Sequence, residues 1–175
     1  MKTKTDTRRF PEVRSTRRFA HVPAASSVAP RVDIQSILVP VDFSPSSKAT
    51  VKYAARLAKQ FGATLTLLHV VEPVATPDFA YYPLMMENDR VLAKAKQELD
   101  HVVATSQLDP KLLGKTLVRN GTAYHEITQA ASSLKADLIV IATHGYTGLK
   151  HVLLGSTTER VVRYAPCPVL VVRNA

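Results

Sequence analysis

Short apolar runs alternate with longer segments of helical periodicity from residue 37 to the end of the chain. Alternation of this kind is typical of parallel βα units, because parallel strands need a helix-length crossover between them. Strands with so few polar residues must be covered on both faces. We therefore predict a single-domain, three-layer α/β/α fold around an open parallel five-stranded sheet. The predicted strands are ILVPV (37–41), TLTLLHVV (64–71), KTLVRN (115–120), ADLIVIA (136–142) and PVLVVR (168–173).

Residues typical of helix ends, together with helical periodicity, predict one helix between each pair of successive strands, four in all. Ser44 and Pro45 predict the start of the first helix and Gly62 its end, and Thr122 is the predicted N-cap of the third helix. The fourth helix is expected to run to about Tyr164. Apolar positions at helical spacing predict the buried face of the first helix as Val51, Ala54, Ala55, Ala58 and Phe61.

Residues 1–35 differ from the rest of the chain. They carry eight basic and three acidic side chains, so more than half of the net charge of +9 lies in one fifth of the sequence. They show no apolar period, and the tetrapeptide TRRF occurs twice. We predict a flexible basic extension over 1–35 and one folded domain over 36–175. Contact with nucleic acid or an anionic surface is expected only through this extension, and a merely solvated tail is the alternative.

The remaining composition argues for a cytoplasmic protein. No apolar run approaches the roughly 18 to 20 residues that a membrane span requires. Cys167 is the only cysteine, which excludes an intrachain disulfide and a multi-cysteine metal site. We expect Cys167 to act as an inert small apolar residue. The histidines lack metal-ligand spacing and no Ser-His-Asp grouping stands out, so no metal site and no catalytic residue is predicted.

In a doubly wound sheet, ligands bind at the carboxyl ends of the strands where the winding reverses. One segment suited to that place is ATHGYTGLKHVLLGSTTE (142–159), after the fourth strand. Its glycines and hydroxyl residues at the start of a helix suit a phosphate, since a helix N-terminus presents unpaired N–H groups and a positive dipole. Ser156 to Glu159 also reads as an S-x-x-E capping box, which stabilises a helix with no ligand. Neither G-x-x-x-x-G-K-S/T nor G-x-G-x-x-G is present.

The other suited segment is VPVDFS, after the first strand. Pro40 removes one N–H from the sheet ladder, which indicates a local break. Asp42 follows that break, and three roles stay open for it: accepting a bond from a ribose hydroxyl, holding Mg²⁺, or capping a turn.

Three separated motifs resemble the universal stress protein family from residue 36 to 174: ILVPVDFSPSSKATVKYAARLA, LTLLHVVEP and DLIVIATHGYTGLKHVLLGSTTERVVRYAPCPVLVV. The resemblance implies an adenine nucleotide alpha hydrolase-like sheet with strand order 3-2-1-4-5, and a homodimer. In one branch of the family it also implies ATP, with or without Mg²⁺, bound through a G-x2-G-x9-G-S/T pattern. Here that pattern reads Ala142-x2-Gly145-x9-Gly155-Ser156.

Carried over to this chain, the resemblance implies two groups of nucleotide-binding residues. Gly145, Gly155, Ser156 and Thr157 would surround the phosphates and the ribose. Pro40, Val41, Asp42 and the backbone of Val70 would face the adenosine. The chain departs from the pattern at Ala142, whose methyl group either obstructs the nucleotide or is accommodated if its φ angle is negative.

The resulting expectation is a cytoplasmic, homodimeric stress-response module that binds ATP and responds to it without acting as a catalyst. Dimerisation is expected through the edge of the fifth strand, residues 168–173, which would otherwise stay exposed. One alternative is a protein of the same fold that binds no nucleotide and acts through protein contacts. The sequence feature that favours this alternative is Ala142, which replaces the first glycine of the nucleotide-binding pattern. A slow ATP hydrolase is the other alternative, disfavoured because the capping box already uses Glu159.

Overall fold

The protein is described by a computed structural model over residues 33–73, 81–143 and 154–173, with side chains of the second helix from residue 89 onward. The predicted N-terminal extension therefore lies outside the described residues, apart from residues 33–35. Gly145 and most of the predicted loop after the fourth strand lie outside them as well.

Within the described residues, five strands and four helices alternate, as predicted. The strand order is β3-β2-β1-β4-β5 and every pairing is parallel, which confirms the predicted three-layer fold. The bounds are β1 Ser36–Pro40, α1 Pro45–Phe61, β2 Thr64–Val71, α2 Tyr81–Thr105, β3 Leu113–Asn120, α3 Ala123–Ser133, β4 Leu138–Ala142, α4 Ser156–Tyr164 and β5 Val169–Val172.

Alternate side chains of the central strands enter two separate apolar layers. In β1, Ile37 and Val39 pack on the α1 and α2 side of the sheet, whereas Leu38 packs on the α3 and α4 side. All three are fully buried. Each such side chain contributes about 1.5–3 kcal/mol by leaving water. The sheet is thus a rigid platform whose strand ends carry the site.

The ends of α1 follow the predicted signals. Ser44 Oγ accepts a hydrogen bond of 3.1 Å from the Ser47 N–H, and Pro45 opens the helix. Gly62 has a φ angle of 71° and its N–H donates to the Ala58 carbonyl. Phe61 was predicted to be inward, and this was wrong, because it closes the last turn and remains 41% exposed.

The packed part of the chain begins before β1. Ile34 is only 8% exposed and belongs to the core layer under α1. The N–H groups of Gln35 and Ser36 both donate to Asp137 Oδ2, at 2.9 Å each. This carboxylate fastens the start of β1 to the start of β4.

Two further features bear on the predictions from composition. In the part of the chain that the structure covers, no helix is long and apolar enough to cross a membrane. The thiol of Cys167 is half-buried against the core layer under α3 and α4. Burial, and after it the negative charge of Asp137, raises the pKa of the Cys167 thiol. A raised pKa keeps the thiol protonated and weakly nucleophilic, in line with the inert role expected for it.

Candidate functional site

A cleft of about 380 Å³ opens at the carboxyl ends of β1, β2 and β4, between the first turns of α3 and α4. It lies where the strand order reverses between β1 and β4. The structure brings eight of the nine predicted site residues together along its walls: Pro40, Val41, Asp42, Val70, Ala142, Gly155, Ser156 and Thr157. The ninth, Gly145, lies outside the described residues.

Two hydrogen bonds hold the start of α4 over the end of β4. The Gly155 N–H donates to the Thr143 carbonyl at 2.8 Å, and Thr158 Oγ1 donates to the Ala142 carbonyl, also at 2.8 Å. Thr158 is buried, so the second bond is shielded from water. The first turn of α4 is thereby fixed with Gly155, Ser156 and Thr157 on the cleft wall.

The predicted capping box at the start of α4 is wrong. The N-cap is Gly155, which leaves Ser156 as the first helical residue, and among the described residues no side chain caps this end of the helix. The Gly155 N–H is held by the carbonyl of Thr143, just after β4, and the helix starts one residue earlier than the box requires. Glu159 Oε1 instead accepts a 2.9 Å bond from Arg163 Nη2, one turn along the helix. The Ser156 hydroxyl is therefore not used as a cap.

Asp42 caps the turn that follows β1. Its Oδ1 accepts from the Ser44 N–H at 3.0 Å and from Ser44 Oγ at 2.6 Å. Of the three roles considered for Asp42, turn capping is thus present in the structure. It involves one carboxylate oxygen, so it does not exclude the other two roles.

Phe43 takes a left-handed conformation in this turn, with a φ angle of 65°. Such a conformation costs a residue other than glycine roughly 1–2 kcal/mol. The Phe43 ring stacks on the His69 ring at a centroid distance of 4.2 Å, and His69 Nδ1 donates to the Val41 carbonyl at 2.7 Å. These contacts hold the turn against β2, and they give His69 a structural role.

The backbone of Val70 points past the end of β1. The β1–β2 ladder continues to the bond from the Val41 N–H to the Leu68 carbonyl, at 2.8 Å. Because consecutive residues of a strand direct their N–H and C=O groups to opposite sides, Val70 directs its groups to the same side as Leu68. Beside Val70, β1 has ended and the chain has entered the turn at Asp42. The N–H and C=O groups of Val70 therefore face the cleft instead of a neighbouring strand.

Glu72 was not identified from the sequence as a site residue, yet it lines the cleft. Its Oε1 accepts a 2.8 Å bond from the Ala123 N–H, the first residue of α3. Thr122 holds the predicted N-cap position of this helix, but its side chain makes no capping bond. Other lining residues that the sequence analysis missed are Ser47, Leu68, Ala123, Ile127, Ile141 and Thr158.

Ala142 is an ordinary strand residue. It pairs with Val172 in the β4–β5 ladder and is not among the described residues with a positive φ angle. The backbone at this position therefore does not require glycine.

The described side chains that line the cleft carry a net negative charge. Among the described residues that line it, Asp42 and Glu72 are the only charged side chains. Over the same residues, no cluster of three or more His, Cys, Asp or Glu side chains could hold a metal ion. Among the described residues, the groups suited to attract an anionic ligand are the backbone N–H groups at the start of α4.

Comparisons with known proteins agree over the whole described domain. A sequence model of the Universal stress protein family matches residues 33–173. A curated universal stress protein of Methanocaldococcus jannaschii is 36% identical over 143 residues, covering 80% of this chain and 82% of that protein. The structure of universal stress protein UspA from Lactobacillus plantarum is 32% identical, with a TM-score of 0.65, covering 80% of this chain and 98% of the other.

A further solved structure, a universal stress protein in complex with cAMP, shares the fold at a TM-score of 0.54 and 22% identity. It covers 80% of this chain and 97% of its own.

Proposed function

Because this chain belongs to the universal stress protein family, we propose that its cleft binds an adenine nucleotide, with ATP as the expected ligand. The observation that carries the proposal is the uncapped first turn of α4, fastened to β4 on the same cleft that the Val70 backbone faces. The protein then acts as a nucleotide-responsive binding module in the stress response.

The start of α4 suits the phosphates. Gly155 serves as an N-cap without a side-chain acceptor, so the first N–H groups of the helix keep their capacity for an anion. The hydroxyls of Ser156 and Thr157 stand on the same wall and add two donors. Gly145, from the predicted pattern, would complete the phosphate site from the loop.

The ends of β1 and β2 suit the adenosine. Pro40, Val41 and Asp42 form one wall, and Val70 presents one N–H and one C=O group beside it. A donor and an acceptor side by side match the Watson–Crick edge of adenine, which carries an acceptor next to an amino group. The fold is compatible with such a ligand, since a universal stress protein of this fold has been solved with cAMP.

We propose binding rather than catalysis. The cleft offers two carboxylates among its described residues, and each already accepts hydrogen bonds that hold structure: Asp42 from Ser44, and Glu72 from Ala123. A phosphoryl-transfer enzyme needs a base or a residue that positions water, and usually a metal ligand. Any ATP hydrolysis by this chain is expected to be slow.

A nucleotide-independent role through protein contacts is the second candidate. The observation that favours it is the exposed apolar surface of α4, where Val162 is 48% and Tyr164 60% accessible. Ala142 is the sequence feature that distinguishes this role, although the backbone at that position does not require glycine. The two roles are compatible if a partner protein reads the nucleotide state.

We further propose a cytoplasmic homodimer paired through β5. This strand ends the sheet, and its four residues are all half-buried. The C=O groups of Pro168 and Val172 face β4, so by alternation Val169 and Val171 direct their N–H and C=O groups outward. An unpaired edge of this kind is suited to a second copy of the strand.

The test is a thermal-shift and calorimetric titration of the purified full chain with ATP, ADP and AMP, with and without Mg²⁺. A ligand at about 100 times its dissociation constant should add roughly 2.7 kcal/mol to the free energy of unfolding. The variant Gly155→Val should lose this shift, because its side chain crowds the N-terminus of α4. Gly114→Ala is the control, since a Cβ at that position in β3 meets only ordinary contacts from 3.4 Å outward.

If millimolar ATP with Mg²⁺ causes no shift in the melting temperature, the proposal of nucleotide binding is refuted and the role through protein contacts remains. Multiple-turnover phosphate release faster than about 1 per second would instead favour an enzyme.

A further inference from the structure

Among the described residues, the helices α3 and α4 begin at the cleft, and they differ in whether a carboxylate accepts a hydrogen bond from the first turn. At α3, Glu72 Oε1 accepts the Ala123 N–H at 2.8 Å, so a carboxylate from the end of β2 occupies the helix start. At α4, the N-cap is Gly155, which has no side chain, and no side chain of the described residues caps the helix. The residues Ala123 and Gly155 both line the same cleft.

This difference decides where an anion can bind. A helix N-terminus attracts negative charge through its unpaired N–H groups and its dipole. The carboxylate of Glu72 already supplies that charge to α3, whereas α4 lacks such a group among its capping contacts. A phosphate that enters the cleft is therefore attracted to α4 and repelled from the start of α3.

We infer that Glu72 is a specificity-determining residue that restricts the cleft to nucleotides with a single phosphate-bearing end and rejects nucleoside bisphosphates. The inference rests on the proposed nucleotide binding and goes beyond it, because it says which nucleotides are excluded and by which side chain.

Glu72 stands at the nucleoside end of the proposed ligand. Leu68, Val70 and Glu72 follow one another at two-residue intervals along and just past β2, and all three line the cleft. Since the Val70 backbone is proposed to meet the adenosine, a second phosphate on the sugar would approach Glu72. Asp42 lines the same cleft, and no lining cation among the described residues offsets these two carboxylates.

The experiment compares AMP with adenosine 3′,5′-bisphosphate by calorimetry on the full chain. The wild type should bind AMP at least about tenfold more tightly, as expected for like charges within a few ångströms of each other near a protein surface. Glu72→Gln keeps an amide oxygen to accept the Ala123 N–H while removing the charge. It should reduce the preference to about threefold or less, with a melting temperature close to that of the wild type.

Glu159→Gln is the matched control. It removes one negative charge from the first turn of α4, but Glu159 pairs with Arg163 and does not line the cleft. It should leave the ratio of the two affinities unchanged.

The outcomes separate the two proposals. If the wild type binds AMP and the bisphosphate equally, or if Glu72→Gln keeps the wild-type preference, the role of Glu72 is refuted while nucleotide binding stands. If the wild type binds neither compound and also fails to bind ATP, the proposed function fails, and the inference fails with it.

Discussion

Thr158 Oγ1 donates a 2.8 Å hydrogen bond to the carbonyl oxygen of Ala142, the residue that stands where the nucleotide-binding pattern has its first glycine. The bond joins the last residue of β4 to the third residue of α4, and the loop between them spans thirteen residues. The distance between sheet and helix at the cleft is therefore held by this buried hydroxyl together with the bond from the Gly155 N–H to the Thr143 carbonyl, and it does not depend on the loop alone.

Replacing Thr158 with Val should destabilise the protein and weaken ATP binding together. The variant keeps the shape of the side chain but leaves the Ala142 carbonyl without its donor in a buried site, which costs about 1–3 kcal/mol. Urea unfolding measures the first effect and an ATP titration the second. Thr158→Ser retains the hydroxyl and should recover most of both. A Thr158→Val protein as stable as the wild type would show that water or another group satisfies the carbonyl.

Replacing Ala142 with Gly should restore the family pattern without improving ATP binding. Ala142 has no positive φ angle and pairs regularly with Val172, so its methyl group is accommodated by the strand. We expect the ATP dissociation constant to change less than about threefold, and the free energy of unfolding to fall by roughly 0.5–1 kcal/mol because glycine weakens a strand. A tenfold gain in affinity would show that the methyl group obstructs the nucleotide.

Two truncations should locate the start of the folded domain. Deleting residues 1–35 removes Ile34, which is buried in the core layer under α1. It also removes the Gln35 N–H that bonds to Asp137. Relative to deletion of residues 1–32, this protein should lose about 2 kcal/mol of unfolding free energy, in line with the burial of one large aliphatic side chain. Equal stability of the two truncations would mean that Ile34 contributes nothing to the core.

Replacing Val171 with Pro should convert the proposed dimer into a monomer. The N–H of Val171 points away from β4, so proline removes a donor from the outer edge while sparing the β4–β5 ladder. Light scattering coupled to size-exclusion chromatography measures the mass. Val162→Thr, on the exposed side of α4, is the control and should leave the mass unchanged. A Val171→Pro protein that remains dimeric would place the interface elsewhere.

Much of the fold could be predicted because the apolar periodicity of the sequence distinguishes the strands from the helices. The run TLTLLHVV coincides with β2, since its flanks change composition abruptly at Ala63 and Glu72. The family resemblance implied a strand order that places the ends of the first and fourth strands side by side. It also supplied Pro40, Asp42 and Gly155 as site residues, and these three residues line one cleft.

The errors arose where a distant contact overrides a local signal. The S-x-x-E pattern predicted a cap at Ser156, but the bond from the Gly155 N–H to Thr143 fixes the start of the helix one residue away. Glu72 caps a helix that begins 51 residues later in the sequence, and no local sequence pattern predicts a contact between residues so far apart.

The left-handed turn at Phe43 reduces the conformational entropy that is lost when a ligand binds against the β1–α1 turn. Contacts within the chain, from the His69 ring to Phe43 and from the Asp42 carboxylate to Ser44, hold this conformation. The conformational entropy of this segment is thus lost when the chain folds, and little remains to be lost on association. Binding against the β1–α1 turn should therefore resemble docking to a preformed surface, with fast association limited by encounter and not by rearrangement.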